Sequence, residues 1–581
     1  MKIKGLLLGM LACAAMVACT NEDIVENNNG GQPEKVKGNL SLVISSSSNS
    51  SRANSETGDA GDDGIEGEST VTDAIFVLNS LDADGNLQTG EDNEFVFNQS
   101  TASLTPETIG RTTFYKTFFK LNKAGKYKIL VILNPTNSIK TLAAATRTTT
   151  SIYQQILESK YDYSGKEDIE IATSGHFMMV NRNEIIADVK SNNYNDPTVI
   201  DDIDVERVVS KITYKPIKEN NRYPIEVTTS QKTIDPKTII DGWYIDPDKG
   251  AVHLKGLLPA TLTSGNLEIW IYNADGVRRA FKKTGESYDK DGKPMFSLLA
   301  PTSEVAEIPD YEFVTVETAG TQTWSVTLKE YALVNLSKSV YTVRHRESAQ
   351  WNDMQYLGLL DSAHPYMVDP YSANKNASNL EGSISDDFFY NKLETVQGEA
   401  NNAENFGDDA PSFQDLPLLT DEQNDNFSVV GQRLTYCLEN IVNKDKQKPG
   451  LVTGIIFRAS IGNAEGTEFS NVYYATQSGK YYLTLDALFA DNGGTSAAYE
   501  VFEGGHCYYY SSDIYHHKGD EYMEKAIMRN NIYVLQVDKF NAIGSATIDV
   551  PNSDEEVDNN YYLSMRATIL PWVVRFNNIE F

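Results

Sequence analysis

Residues able to do chemistry are few in this chain, and most of them stand alone. Its seven histidines supply one cluster: His506, His516 and His517, with Cys507, Asp513 and Asp520 nearby. Zinc needs three or four ligands converging tetrahedrally, and this spacing fits neither a finger nor a helical H-E-x-x-H pair. His516-His517 beside Lys518-Gly519 reads as an exposed loop tip, so no metal is expected. Asp82-Ala83-Asp84-Gly85-Asn86, Asp246-Pro247-Asp248-Lys249-Gly250 and Asp289-Lys290-Asp291-Gly292-Lys293 have the composition of calcium-loop fragments. A calcium loop wraps its ion with a glycine at the sixth position and a distant bidentate glutamate, and none of the three has both. Asp-Gly tolerates positive φ, so these are expected to be turns. Ser362-Ala363-His364 lacks the glycine elbow of a nucleophilic serine. His506 and Cys507, as neighbours on a strand, point to opposite faces. Neither a Walker loop nor a dinucleotide fingerprint is present. The expectation is a protein without catalytic residues or cofactor.

Two other residues invite covalent processing. Lys2 and Lys4 precede an apolar run from Gly5 to Ala18, followed by Cys19. A charged start, a short apolar core and small residues at the end make a secretory signal, too short to span a bilayer as an ordinary helix. Met16-Val17-Ala18-Cys19 is similar to a bacterial lipobox, in which the cysteine sulfur receives diacylglycerol before cleavage; the alternative is plain cleavage near Ala18. Residues 1–18 are therefore expected to be a lipoprotein signal, and 19–37 a polar tether. Arg52-Ala53 lies in a stretch that is almost all serine from Ser45 to Ser51 and acidic and glycine-rich to about Ser69. Such a block cannot bury enough to order itself, and a protease can hold it extended. The remaining cysteines, Cys437 and Cys507, are compatible with one disulfide or two buried thiols.

The elements around these residues read as strands. A formal charge of −31 repels phosphate backbones and anionic lipid, so nucleic acid is not an expected partner. Tyrosine (32) outnumbers phenylalanine (22), and aromatic residues favour a pleated, half-buried surface. Leu40, Leu42 and Ile44 share one face of a period-two run within residues 38–52. Similar runs follow at Ala74–Leu78, Phe114–Leu121, Lys128–Leu133 and Val205–Tyr214, with one short helix at Ser151–Tyr161. A second series includes Ile239–Ile245, Leu267–Tyr272, Thr323–Leu328, Val452–Ala459, Val472–Ala475, Tyr481–Leu485, Tyr508–Tyr510, Ile532–Val537, Tyr562–Leu570 and Val573–Phe581. Asn352–Asn426, rich in Asp, Asn, Ser and Gly, reads as a long surface excursion. Many short strands with turn signals predict an all-β chain of sandwiches or barrels, with two domains, 53–220 and 221–581.

The resemblance lies in several of these runs. Met528-Arg529-Asn530-Asn531-Ile532-Tyr533 followed by Val534–Val537 resembles the R-N-x-x-Y strand near the end of Bacteroidia fimbrillins. Tyr562–Leu570, Pro571-Trp572 and Val573–Phe581 resemble the end of the Mfa-type major fimbrillins. Val205-Glu206-Arg207-Val208-Val209-Ser210-Lys211-Ile212, Val131-Ile132-Leu133-Asn134 and Tyr436-Cys437-Leu438-Glu439-Asn440 are similar to further strands of that family, in the same order.

The resemblance implies a type V pilus subunit: a lipidated precursor of two tandem transthyretin-like β-sandwich domains with few short helices, assembled by protease-triggered strand exchange. It implies lipid on Cys19 and cleavage by an arginine-specific protease at Arg52-Ala53, with Arg111 and Arg147 as competing sites. It implies a removable first strand carrying Leu40, Leu42 and Ile44, and a donor strand at 573–581 presenting Val574, Phe576, Ile579 and Phe581. Asn577-Asn578 breaks the donor's alternation and leaves its register open. Partners would be copies of the chain head-to-tail and fimbrial anchor and tip proteins, on a cell-surface fimbrium supporting adhesion and biofilm formation. Membrane contact would come only through the precursor lipid at the outer membrane, and the adhesive ligand is not specified. The alternatives are a tip or anchor subunit, or a monomeric surface lipoprotein binding glycans through Trp243, Trp270, Trp324, Trp351 or Trp572. Three of these tryptophans, Trp243, Trp270 and Trp324, lie in strand patterns that favour core packing.

Overall fold

A computed structural model describes residues 38–45, 67–100, 104–109, 112–146, 150–165, 169–191, 197–235, 251–254, 268–272, 278–288, 294–298, 314–347, 354–356, 367–370, 388–400, 413–419, 430–441, 450–492, 495–516, 524–548 and 563–571. Its helices are short and its architecture is all-β, as the sequence pattern predicts.

The first sheet is built from β1 (Gly38–Ser45), β2 (Asp73–Ser80), β3 (Glu94–Ser100), β4 (Thr105–Ile109), β5 (Thr112–Leu121) and β6 (Gly125–Leu133). The strands Met179–Asn181 and Thr198–Arg207 complete the path, in the order β3-β2-β6-(179–181)-(198–207)-β1-β5-β4. The sheet curls until its ends face each other. Phe119 of β5 packs 5.1 Å from Phe76 of β2 and 4.4 Å from Phe97 of β3, ring to ring. The enclosed core takes every second residue of β2, namely Ala74, Phe76 and Leu78. The alternate set, Ile75 and Val77, faces two short helices, α1 (Asn137–Ala143) and α2 (Ile152–Leu157). Cover on both faces is why β2 and β6 read as unbroken apolar runs.

The helix expected over Ser151–Tyr161 is shorter in the structure. Ser151 is its N-cap, with Oγ accepting from the Gln154 amide at 3.1 Å. Tyr161 belongs to the strand Lys160–Asp162. The run expected as one strand at Val205–Tyr214 is two. Thr198–Arg207 stays in the first sheet, and Ser210–Tyr214 joins a second sheet ordered (432–437)-(210–214)-(531–540)-(563–571). Fully buried Val208 and Val209 lie between them, so apolarity continues while the sheet changes.

That four-stranded sheet faces a larger one, in which Arg222–Asp235, Val314–Val334, Gly454–Asn463 and His506–Ser511 are successive neighbours. Ile212, Tyr214, Tyr533, Leu535 and Val537 of the first meet Tyr223, Trp324, Val326, Ile455 and Phe457 of the second in one core, the section of a β-sandwich. The run Tyr481–Leu485 ends as strand at Tyr482, because Thr484 caps a helix, Leu485–Asp491, accepting from the Ala487 amide at 3.3 Å. The excursion 352–426 is not all surface. Leu393 and Val396 of the helix Leu393–Ala400 pack with Ala332, Val334, Ile456 and Tyr508. Polar composition hid a two-residue apolar face. The expected strand Ile239–Ile245 lies outside the described residues.

Because Phe119 ties β5 to both β2 and β3, Phe119→Ala should cost about 3–5 kcal/mol, the usual loss for a core phenylalanine. Urea unfolding followed by circular dichroism checks it. A loss within about 0.5 kcal/mol, as for a surface change, would contradict this packing.

Candidate functional site

β1 is the first described strand, yet it lies in the interior of its sheet. It runs antiparallel to β5, with Leu40 opposite Phe119, Leu42 opposite Thr117 and Ile44 opposite Tyr115. On its other side it runs parallel to Thr198–Arg207, with Leu40 opposite Thr198, Leu42 opposite Ile200 and Ile44 opposite Ile203. On that side two residues of β1 span three of the partner, a bulge at residues 201–202. Leu40, Leu42 and Ile44 are each 0% exposed and join Phe76, Leu78, Tyr115, Phe119, Val131 and Met179 in the core. The period-two reading of β1 therefore identifies its buried face correctly. At roughly 1.5–3 kcal/mol per large side chain, those three contribute on the order of 5–9 kcal/mol of burial.

Chain continuity from β1 to β2 runs through residues 46–72, which include Arg52-Ala53. The downstream end of that connection is fastened. Glu68 is buried, with its carboxylate 2.9 Å from Lys211 Nζ and accepting from the Tyr436 hydroxyl at 2.5 Å. Arg207 donates from Nε to the Glu68 carbonyl at 2.8 Å and from Nη2 to Ser69 Oγ at 2.8 Å. Lys211 and Tyr436 lie on strands of the second sheet and Arg207 on the first, so Glu68 joins the two. Nothing in the sequence distinguishes Glu68 from its acidic neighbours. Its role comes from tertiary partners more than 130 positions away.

A second ionic centre lies in the motif residues. Arg529, 1% exposed, donates from Nε to Glu439 Oε1 at 2.8 Å and from Nη2 to Oε2 at 2.7 Å. Its remaining donors reach the carbonyls of Thr342 at 3.2 Å and Tyr341 at 2.7 Å. The Arg-Asn and Glu-Asn runs are thus two halves of one bidentate pair. Beside it, buried Glu206 sits between Arg182, at 4.0 Å, and Arg344, whose Nη2 donates to it. Burial, with Arg182 and Arg529 as neighbouring cations, pushes Arg344 down to about 9. His345 stacks on Tyr341 at 3.6 Å, with Nδ1 2.7 Å from the Val343 carbonyl. Burial pushes His345 down to about 4, the positive Arg529 adding to it while the Val343 carbonyl and Glu439 oppose.

The other candidates separate. Among the described residues no His, Cys, Asp and Glu side chains converge as a metal site. His516 is not on an exposed loop tip. It is buried, its Nδ1 3.0 Å from the Tyr533 hydroxyl, because the segment folds over the motif tyrosine. His506 is partly buried while Cys507 is buried in the core. Cys437 and Cys507 are both buried free thiols, pushed up to about 12 by burial. Asp82 closes a turn, its Oδ1 accepting from the amides of Asp84 at 2.9 Å and Asn86 at 2.8 Å, with Gly85 at φ 87°. Trp324 is core and Trp270 lies on the strand Glu268–Tyr272. Cys19, Arg52, Ala53, Val574, Phe576, Ile579 and Phe581 lie outside the described residues, as do Arg111, Arg147, Trp243, Trp351, Trp572, Ser362-Ala363-His364, His517, Asp520 and the aspartate runs 246–250 and 289–293.

The pH dependence of the ionic centre follows from His345. The folded state keeps it neutral down to about pH 4, whereas the unfolded chain takes up a proton near 6.5. More protons on the unfolded chain mean that stability rises with pH. This contribution is therefore complete above about pH 6.5 and is lost as pH falls towards 4, by about 3 kcal/mol in all. Unfolding midpoints between pH 7 and 4.5 should fall less steeply in His345→Asn than in the parent. Parallel curves would refute the assignment.

Residues 500–578 match the family described as major fimbrial subunit protein type IV, fimbrillin, C-terminal. No curated protein matches the chain. Two of the similar solved structures are a fimbrilin (FimA) from Porphyromonas gingivalis W83 and the tip fimbrial protein Mfa3 from Porphyromonas gingivalis with a C-terminal truncation. The first is 12% identical with a TM-score of 0.37, covering 94% of this chain and 100% of that one. The second is 10% identical with a TM-score of 0.33, covering 92% and 100%. Residues 500–578, which include the Arg529-Asn530 motif run, are thus similar to a fimbrillin C-terminal region.

Proposed function

We propose that this chain is the structural subunit of a type V fimbria on the cell surface. On this reading it is exported as a lipoprotein through Cys19, cut after Arg52 by an arginine-specific protease, and polymerised head-to-tail by strand exchange. The observation that carries the reading is the position of β1. It is an interior strand whose Leu40, Leu42 and Ile44 are fully buried, and the connection that follows it is serine-rich and contains Arg52-Ala53.

Cutting that connection turns β1 from an intramolecular strand into a separate one. Its departure would leave an apolar groove between β5 and Thr198–Arg207 and a row of unpaired backbone groups on each wall. Both defects are repaired by another extended segment laid in the same place, as in donor-strand complementation. Val573–Phe581, with Val574, Phe576, Ile579 and Phe581, is the segment proposed to supply it. It follows the last described strand, Leu563–Pro571, which pairs with Asn531–Phe540. A groove in one place and a donor in another make a heterologous contact that does not close, so copies add into a filament. The fimbrillin match at 500–578 supports the same role.

Within this reading the domains are 53–220 and 221–581. The transfer of the chain between sheets at Val208–Val209 supports a junction some residues before 220. Fimbrial anchor and tip proteins are its further partners, and adhesion and biofilm formation its benefit. The protein acts by assembly and not by catalysis.

Arg52→Ala in the native host should leave the chain as uncut precursor, with heat-resistant oligomers reduced at least tenfold. N-terminal sequencing of sheared material from the parent should begin at Ala53. Unchanged fimbriae from the variant, or a parent starting at Cys19, would refute the cleavage step.

A further inference from the structure

Arg182, Arg344 and Arg529 are buried close to one another, and among the described residues two carboxylates contact them. Arg529 takes one for itself, binding both oxygens of Glu439. Arg182 and Arg344 share the other. Their guanidinium groups converge on a single oxygen, Glu206 Oε2, from which Arg182 Nε is 4.0 Å away and to which Arg344 Nη2 donates. At 4.0 Å the first contact is an ion pair without a hydrogen bond. Arg182 is 6% exposed and Arg344 7%, and the Nε–H of each is buried without an acceptor. Asp204 is the next carboxylate. It attracts Arg182, but it is half-buried and accepts from neither Nε.

Fixed backbone presents the two groups. Asn181 holds the turn that carries Arg182, its Oδ1 accepting from the Val131 amide at 2.8 Å and its Nδ2 donating to the Asn183 carbonyl at 2.7 Å. The Arg182 amide donates to the Asp204 carbonyl at 2.9 Å. Arg344 directly precedes the strand His345–Glu347, whose first residue stacks on Tyr341. One arginine therefore comes from the first sheet and the other from the chain beyond residue 221.

A buried cation has to be balanced, because its lost hydration is otherwise unrecovered. Two arginines with one carboxylate leave one positive charge over. Many buried bases escape by losing a proton, but a guanidinium keeps its own at neutral pH. Even Arg344, pushed down to about 9 by burial and by the neighbouring Arg182 and Arg529, remains charged at pH 7. Water would satisfy the two Nε–H groups but adds no charge. An anion does both. The free donors are two single N–H groups on different side chains, not the parallel fork that reads a carboxylate or phosphate. In a place nearly closed to solvent, that selects a small monovalent ion that accepts from any direction.

We infer that Arg182 and Arg344 form a buried binding site for a chloride ion, which together with Glu206 neutralises the pair and ties the first sheet to the chain at residue 344. Glu206 lies on Thr198–Arg207, the strand flanking β1, so the ion also braces one wall of the β1 position.

Bromide replaces chloride and scatters anomalously. Crystals of the full chain soaked in bromide should show an anomalous peak within hydrogen-bonding reach of Arg182 and Arg344, and its absence overturns the inference. Urea midpoints at fixed ionic strength, with chloride replaced stepwise by gluconate, remove the screening common to all salts. The folding equilibrium constant of the parent should rise by up to about tenfold for each tenfold rise in chloride above its dissociation constant. Arg182→Gln should lose that dependence. Glu206→Gln should bind chloride about tenfold more tightly, because no carboxylate then competes for the two cations. If Arg182→Gln does not fold, the bromide peak and Glu206→Gln decide. A flat chloride response in the parent, or equal responses in the parent and the variants that fold, overturns the inference. A bromide peak without any solution response marks an adventitious ion only and overturns it as well.

Discussion

A strand in the interior of a sheet is held by two demands at once, and β1 meets both. Its backbone saturates the edges of β5 and of Thr198–Arg207, and its side chains fill a core that those strands cannot close by themselves. Backbone groups left unpaired away from water cost as much as the bonds they forgo. The curled sheet therefore depends on something occupying that position. Phe119 shows how far the dependence reaches, since it lies beside Leu40 and also ties β5 to β2 and β3. An occupant that alternates apolar and polar residues satisfies the position whatever its covalent origin. That indifference is the physical basis for exchanging one strand for another.

On the proposed reading, the rest of the molecule has to stay rigid while that position changes hands. One buried ionic contact joins the sheets, Glu68 with Lys211 and Tyr436, and another, Arg529 with Glu439, ties together segments flanking two strands of the second sheet. Such pairs are weak evidence for stability, because desolvation offsets most of the attraction. Breaking one by removing a partner is nonetheless expensive, so they fix a single arrangement. Glu68 is placed to matter most. It lies near the end of the connection, just before β2, and on the proposed reading its fastening holds the chain downstream of a cut at Arg52 in place. The chain is strongly acidic overall, yet Arg182, Arg207, Lys211, Arg344 and Arg529 are all buried. Each cation meets a carboxylate or backbone carbonyls, which is why surface charge gives no hint of them.

How much of this was legible in the sequence depends on whether the signal is local. Alternation is local, so Leu40, Leu42 and Ile44 could be assigned a buried face from their spacing. Asp82 and Gly85 could likewise be read as a turn. Ser151 was available as a helix start, but the end of α2 is set by pairing of Lys160–Asp162 with Ser339–Tyr341, far away in sequence. Val205–Tyr214 shows the limit of apolar runs, which do not record a change of sheet when the linking residues are as buried as the strands. His516 failed for the same reason in reverse. Its neighbours look like a loop tip, and only the Tyr533 hydroxyl shows that the segment folds inward. Arg529 and Glu439 stood out as motif residues, and the structure supplies the reason they occur together.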